Sequence, residues 1–286
     1  MLKITETYCL IDDFCKIFFP KWEKYLIDNS IKRRNRKSRI SQSEIMTILI
    51  LFHQSDFRTF KHFYIGYVCV HMKSYFPELV SYNRFIELQK SVLVPLYYFS
   101  QTLKGEKTGV YFIDSTTIEV CHIKREKQNK VFKDLAEKSK STKGWFFGFK
   151  LHLVINHKGE IMAFKLTKAR TDDRAPIEEL TQGLTGKMVG DKGYISKELS
   201  DNLFARGLKL ITKIKKNMKN SMMILSDKLL LKKRGLIETV NDQLKNICQI
   251  AHARHRSICN CLTNVISGLI SYALKAKKPS VNIKMD

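Results

Sequence analysis

Residues 110–114 read VYFID, and residues 147–156 read FGFKLHLVIN. The first is a short apolar run that closes on a carboxylate, Asp114. The second alternates with a period near two, the spacing of a β-strand. A turn at His157-Lys158-Gly159 returns the chain into IMAFKLT, residues 161–167, so the last two runs form a predicted hairpin. KMVGD, residues 187–191, is a further brief strand ending on Asp191. Residues 196–206 carry a helical pattern stopped by Gly207, and LKLIT, residues 208–212, is another strand before helices fill the remainder. Antiparallel strands followed by strands alternating with helices predict an α/β protein, a mixed sheet flanked by helices. The highly charged stretch 124–143 is expected to be a loop.

Upstream of this region the pattern is helical. Ser41 and Glu44 form a capping box ahead of Ile45, Ile48, Leu49 and Phe52, which recur at helical spacing. Asp56 caps a predicted helix over 57–75, stopped by Pro77. Ser81 precedes another over 82–102, which Pro95 is expected to kink. The change of pattern predicts an all-helical N-terminal domain over 1–105, an α/β domain over 106–278 and a short tail, 279–286. KRRNRKSR, residues 32–39, brings Arg33, Arg34, Arg36 and Lys37 into one basic loop suited to phosphates. A helical module with such a loop fits a reader of DNA ends as well as a scaffold with a solvated charge run.

Charge narrows the class of partner. Lys and Arg number 51 against 27 Asp and Glu, a formal excess of +24 over 286 residues. Such an excess repels itself in a compact chain, and a polyanion relieves it by displacing counterions from its own phosphates. Nucleic acid fits, although lysine-rich codon usage contributes and composition alone does not separate DNA from RNA. At 44% hydrophobic residues the chain is globular rather than disordered. Seven scattered cysteines point to reduced thiols in a cytoplasmic protein. The first residues lack a signal-peptide layout. The apolar stretches at 45–52 and 258–274 are too short or too polar to span a bilayer, so no membrane partner is expected.

Two acids close strands, Asp114 and Asp191, where small polar residues follow. The third lies in RGLIETVNDQLK, residues 234–245. Read as a helix, this segment stacks Leu236, Val240 and Leu244 on one face and Arg234, Glu238, Asn241 and Lys245 on another. Alone, Glu238 reads as half of an ordinary surface pair. Together, two sheet-edge Asp and one helical Glu suit hard divalent cations, which prefer oxygen ligands. A pair of such ions activates the attacking oxygen and stabilises the leaving oxygen of a phosphodiester. The flanking cations would hold the DNA backbone.

IDSTTIEVC around Asp114, GDKGY around Asp191 and Arg-x3-Glu-x6-Lys around Glu238 resemble the DDE transposases of bacterial insertion sequences. SEIMTILILFHQSDFRTFKHFY, residues 43–64, and HARHRS, residues 252–257, followed by an apolar helix, resemble the insertion sequence 982 family. The resemblance covers about residues 40–275. It implies an RNase H-like catalytic fold, with Asp114, Asp191 and Glu238 as the metal-binding catalytic triad for Mg²⁺ or Mn²⁺, two ions in all. Arg33, Arg34, Arg36, Lys37, Arg234, Asn241, Lys245, Arg254 and Arg256 are the expected DNA contacts. Double-stranded DNA is the expected partner, with a homodimer pairing two transposon ends in the bacterial cytoplasm, at the nucleoid. Related transposases often carry Tyr three residues before the Arg of the third motif, where this chain has Leu231. Two alternatives stay open: a metal-dependent nuclease of the same fold, and a DNA-binding descendant without catalysis. Cys248, His252, His255, Cys259 and Cys261 have spacings compatible with zinc, but no turn to wrap an ion.

Overall fold

The computed structural model describes residues 4–31, 38–141, 144–213, 223–251 and 255–283. It divides into two compact units, Met1–Leu103 with Leu244–Ala276, and Lys104–Gln243 with Lys277–Asp286.

The first unit opens with α1 (Ile4–Asp28) and α2 (Gln42–Gln54). The predicted capping box is present: the Glu44 amide donates to Ser41 Oγ at 3.1 Å, and the Ser41 amide donates to the Glu44 carboxylate at 2.7 Å. Most of α2 is buried, its run Ile48–Phe52 entirely so, with the polar Ser43, Thr47 and His53 buried beside it. Only part of 57–75 is helical: α3 (Phe60–His62), a π-helical turn Phe63–Val68 and α4 (Cys69–His71). The expected long helix over 82–102 is also divided, into α5 (Tyr82–Leu88), a 3₁₀ turn Gln89–Val92 and α6 (Leu93–Thr102). Pro95 therefore sits in the first turn of α6, where its missing N–H leaves no helical bond unmade, rather than kinking a helix interior.

The second unit carries the strands β1 (Val110–Cys121), β2 (Glu137–Ser141), β3 (Gly144–Asn156), β4 (Ile161–Lys168), β5 (Gly186–Val189) and β6 (Leu208–Ile211). Its helices are α7 (Ile177–Leu180), α8 (Lys197–Ala205), α9 (Leu225–Lys232) and α10 (Gly235–Asp242). β4, β3 and β1 run antiparallel, and β5 and β6 continue parallel to β1. The predicted β3–β4 hairpin is present. This is a mixed sheet flanked by helices, and the chain has a helical region as well, the α/β fold class expected from the sequence.

Two expectations change. β1 does not stop at Asp114: Ser115–Ile118 stay paired with β3, Asp114 facing Leu153 and Ile118 facing Phe149, because Thr116, Thr117 and Ile118 are β-branched. Asp114 is thus mid-strand. The stretch expected as a loop contains β2, which pairs with the first part of β3. Its sequence, EKSKS, is the charged composition of an edge strand, which hides it from a hydrophobicity pattern.

Alternation along β1 sends Tyr111 and Ile113 to one face, into a core with Met162, Leu180 and Leu203. Phe112 and Asp114 take the other face, where α10 packs on β1 through buried Ile237 and Val240. Gly186 opens β5 with φ of 109°, and a Cβ there would lie 2.2 Å from the Gly109 carbonyl oxygen. No other residue fits so close a backbone approach.

Asp227 ties α9 to the parallel strands. Its side chain is 3% exposed and accepts from Lys187 at 2.9 Å and Lys209 at 2.7 Å. Burial alone would raise this carboxyl, but the two lysines outweigh it and hold the group below its ordinary 3.8. Its stabilisation is therefore complete above that value and lost as pH falls through the lower, folded-state one. Asp227→Asn is expected to cost about 1–3 kcal/mol at neutral pH, less than a fully buried pair because both lysines reach solvent. Urea midpoints measured against pH should show the gap between variant and parent closing below pH 3.8.

The final helix, α11 (Ile258–Ala273), belongs to the first unit, where it packs on α2 and α6. The compact units divide after Leu103 and again at Leu244 and Ala276, so the strand unit gives up 244–276. The physical reason is that α11 is buried over most of its surface and finds its apolar partners among the helices. Residues 279–283 lie with the strands, where the Val281 amide donates to the His157 carbonyl at 3.0 Å. Among the described residues no helix is long and apolar enough to cross a membrane.

Candidate active site

The strand unit brings the three predicted acids together around one side chain. Arg234, the residue preceding α10, places its guanidinium 3.7 Å from Asp114, 3.8 Å from Asp191 and 3.0 Å from Glu238. Each acid comes from a different element. Asp114 is held by the middle of β1, and Asp191 follows β5, where it caps a 3₁₀ turn, Lys192–Tyr194. Glu238 stands on the exposed side of α10, one helical turn after Arg234. Asn241, one residue short of a further turn on, donates from Nδ2 to Asp114 Oδ2 at 3.1 Å.

Three carboxylates against one guanidinium leave an excess of negative charge. Burial is the main force on Asp114 and lifts its carboxyl to about 6; Arg234 opposes the rise, while Glu238 and Asp191 add to it. Tyr194 lies beside it with a buried hydroxyl, raised by burial first and then by the charges of Asp114 and Asp173. A hard cation needs oxygen donors. All three acids offer oxygen, and Asn241 Oδ1 is buried without a hydrogen-bond partner beside Asp114. These residues fit a divalent cation. Among the described residues the acids are not closed on a common point, because the guanidinium stands between them.

A groove of about 480 Å³ runs beside Glu238, lined by Lys213, Lys228, Lys232, Arg234, Leu231 and Gly235. Lys228 and Lys232 occupy successive turns of α9, and none of the three lysines pairs with an acid among the described residues. Lys213 follows β6, whereas KLLLKK, which holds Lys228 and Lys232, carries no motif. Only their i, i+4 spacing signals a shared cationic face.

The remaining predicted contacts divide. Arg33, Arg34, Arg36, Lys37 and Arg254 lie outside the described residues. Arg256 is exposed just ahead of α11 in the helical unit, and Lys245 lies in that unit's π-helical turn, Gln243–Ile247. Lys209 is engaged by Asp227. His152 is a core residue: fully buried, it pairs with Ser115 across the sheet, on the face opposite Asp114, with Nε2 2.8 Å from Thr167 Oγ1.

A family model described as the transposase DDE domain matches residues 104–258, more than half of the chain and all three acids. The chain belongs to this family. The transposase is therefore an enzyme of DNA transposition, and DDE transposases use divalent metal. No curated protein matches it significantly. Among solved structures it is similar to the piggyBac transposase synaptic complex with hairpin DNA, at 11% identity and TM-score 0.49, over 87% of this chain and 70% of that one. It is also similar to the Mos1 strand transfer complex, at 13% identity and TM-score 0.25, over 90% and 83%. The Mos1 mariner paired end complex with Mn aligns at 10% identity and TM-score 0.21, over 90% and 85%. Likenesses this distant add nothing to the family match.

Proposed function

We propose that this transposase cleaves the ends of a bacterial insertion sequence and joins them to target DNA, with Asp114, Asp191 and Glu238 as its catalytic, metal-holding triad. The observation that carries the reading is the convergence of three carboxylates, from β1, the end of β5 and α10, on the Arg234 guanidinium. Two Mg²⁺ or Mn²⁺ ions held by these oxygens would activate the attacking oxygen and stabilise the leaving one. Around them the chain's own groups set the geometry. Asn241 fixes the rotation of the Asp114 carboxylate through its amide. Arg234 offsets one of the three negative charges and borders the groove, where it meets the DNA backbone.

The same reading gives the helical unit, with its basic segment 32–37, the task of reading the transposon end, helped by Arg254, Arg256 and Lys245. Two such chains, one per end, form the working dimer. The kinship to the insertion sequence 982 family rests on the segments quoted above, and the place of work is the bacterial nucleoid. The test is incubation of the purified protein with the DNA flanking its own gene and Mg²⁺. Nicks at defined ends plus joined products support the proposal; nicks without joining would leave a nuclease.

Lys213, Lys228 and Lys232 give the groove a checkable role. Each phosphate contact contributes about 0.9 to the slope of log affinity against log salt. Lys228→Ala with Lys232→Ala should lower that slope by roughly 1.8 on duplex DNA. An unchanged slope, measured by fluorescence anisotropy across a salt series, removes these lysines from the interface.

A further inference from the structure

The chain has two tryptophans, and one of them, Trp145, stands 56% exposed at the start of β3. Burying an indole is among the larger apolar gains open to a chain, so an exposed one calls for a reason. Its surroundings are cationic. Lys138 Nζ lies 5.2 Å from the ring centroid and 3.7 Å from a Glu126 oxygen, and Lys140 is the direct cross-strand neighbour of Trp145. Arg170 donates to the Lys138 carbonyl at 3.0 Å, which keeps a third cation at this edge.

The register decides where this edge lies relative to the chemistry. Asp114 faces Leu153 on β3, and cross-strand partners share a face. Trp145 is eight residues before Leu153, an even number, so it projects from the face that carries Asp114. At ~3.3 Å per residue the two are up to about 26 Å apart along the strand. One strand of B-DNA advances ~3.4 Å per nucleotide, so the interval corresponds to about eight nucleotides.

We propose that Trp145, with Lys138 and Lys140, is a stacking platform for an unpaired base of the DNA, about eight nucleotides from the bond broken at the carboxylates. The inference rests on the DNA-cutting reading above. A flat, open indole flanked by ammonium groups matches a base and its two phosphates, and every base offers a π-face, so the contact is tolerant of sequence. A closed, paired duplex offers no free face to the ring, so the platform favours single-stranded segments, such as those next to a cleaved end.

The test uses the full chain with Trp22→Phe, which leaves Trp145 as the sole indole. The probe is a short oligothymidylate, with a duplex of equal length for comparison. Binding is followed by anisotropy of the labelled DNA, and stacking by indole emission. Saturable quenching by oligothymidylate, stronger than by duplex, is expected. Trp145→Ala should weaken oligothymidylate binding by about 5- to 150-fold, and Trp145→Phe should restore most of it. Lys138→Ala with Lys140→Ala should weaken binding and quenching together. Binding without quenching, unaffected by Trp145→Ala, overturns the platform while leaving the DNA-cutting reading intact. No binding to either DNA overturns both. Emission that shifts with protein concentration in the absence of DNA would place a second protein chain on the ring instead.

Discussion

Asp114→Asn is expected to abolish strand cleavage and joining while leaving DNA affinity within a few-fold of the parent. Cation-assisted phosphodiester chemistry draws several kcal/mol of transition-state stabilisation from its ion ligands, and about 4 kcal/mol corresponds to roughly a thousand-fold in rate. The variant is close to isosteric, and its side-chain oxygen still accepts from Asn241, so the strand and the helix keep their contact. It also removes one of three like charges from a buried position, so thermal stability should be equal to or above that of the parent. Affinity survives because it comes from the basic surface, not from acids that repel phosphate. Gel assays of nicked and joined products, with anisotropy on the same DNA, separate these effects. If joining persists, the assignment of Asp114 fails. If binding is lost while cleavage persists, Asp114 belongs to the interface rather than to the chemistry.

Phe112→Ala should produce the largest loss of stability. Phe112 is fully buried in β1, the strand flanked by β3 on one side and β5 on the other, where it pairs with Ile155 and Val189. Truncating a buried Phe costs about 3–5 kcal/mol through lost transfer energy and the cavity left behind. Set against a total of about 5–15 kcal/mol, that loss removes a large part of the stability of the strand unit. Because Phe112 lies two residues from Asp114 on the same face, cleavage should fall in step with the folded fraction. Phe112→Leu, which keeps much of the volume, should cost less than about 1.5 kcal/mol. Urea unfolding followed by circular dichroism is the measurement. An Ala variant as stable as the parent would mean that α10 collapses onto the space, contrary to its packing on β1.

Much of this architecture was readable before any coordinates, and the failures have physical causes. The β3–β4 hairpin and β5 announce themselves because apolar runs and turn residues are local signals. The continuation of β1 past Asp114 is not local, since Ser115 and the threonines become strand by pairing with β3. β2 is invisible for a related reason, as its lysines and glutamate describe a solvent edge rather than a core. The three acids that gather around Arg234 were legible from three motifs. The spacing put Arg234 beside Glu238, yet nothing in it revealed the same guanidinium beside Asp114 and Asp191, contacts made across the fold. Asn241 was placed on the correct helical face, but its bond to Asp114 also depends on how α10 docks. Lys228 and Lys232 escaped notice because they line a groove only after α9 and the end of β6 come together.

The helical unit is assembled from two separated stretches of chain, and this imposes a schedule on biosynthesis. α2 ends at Gln54, whereas α11, which packs on it, starts at Ile258, about 200 residues later. A ribosome adding roughly 5–20 residues per second needs about 10–40 s to deliver the second piece. During that delay α2 can pack on α1, made before it, but the face that α11 covers waits for its partner. The nascent transposase thus leaves the tunnel with an adhesive patch uncovered, and its yield in the cell is governed by whatever shields α2 until synthesis reaches the last helix.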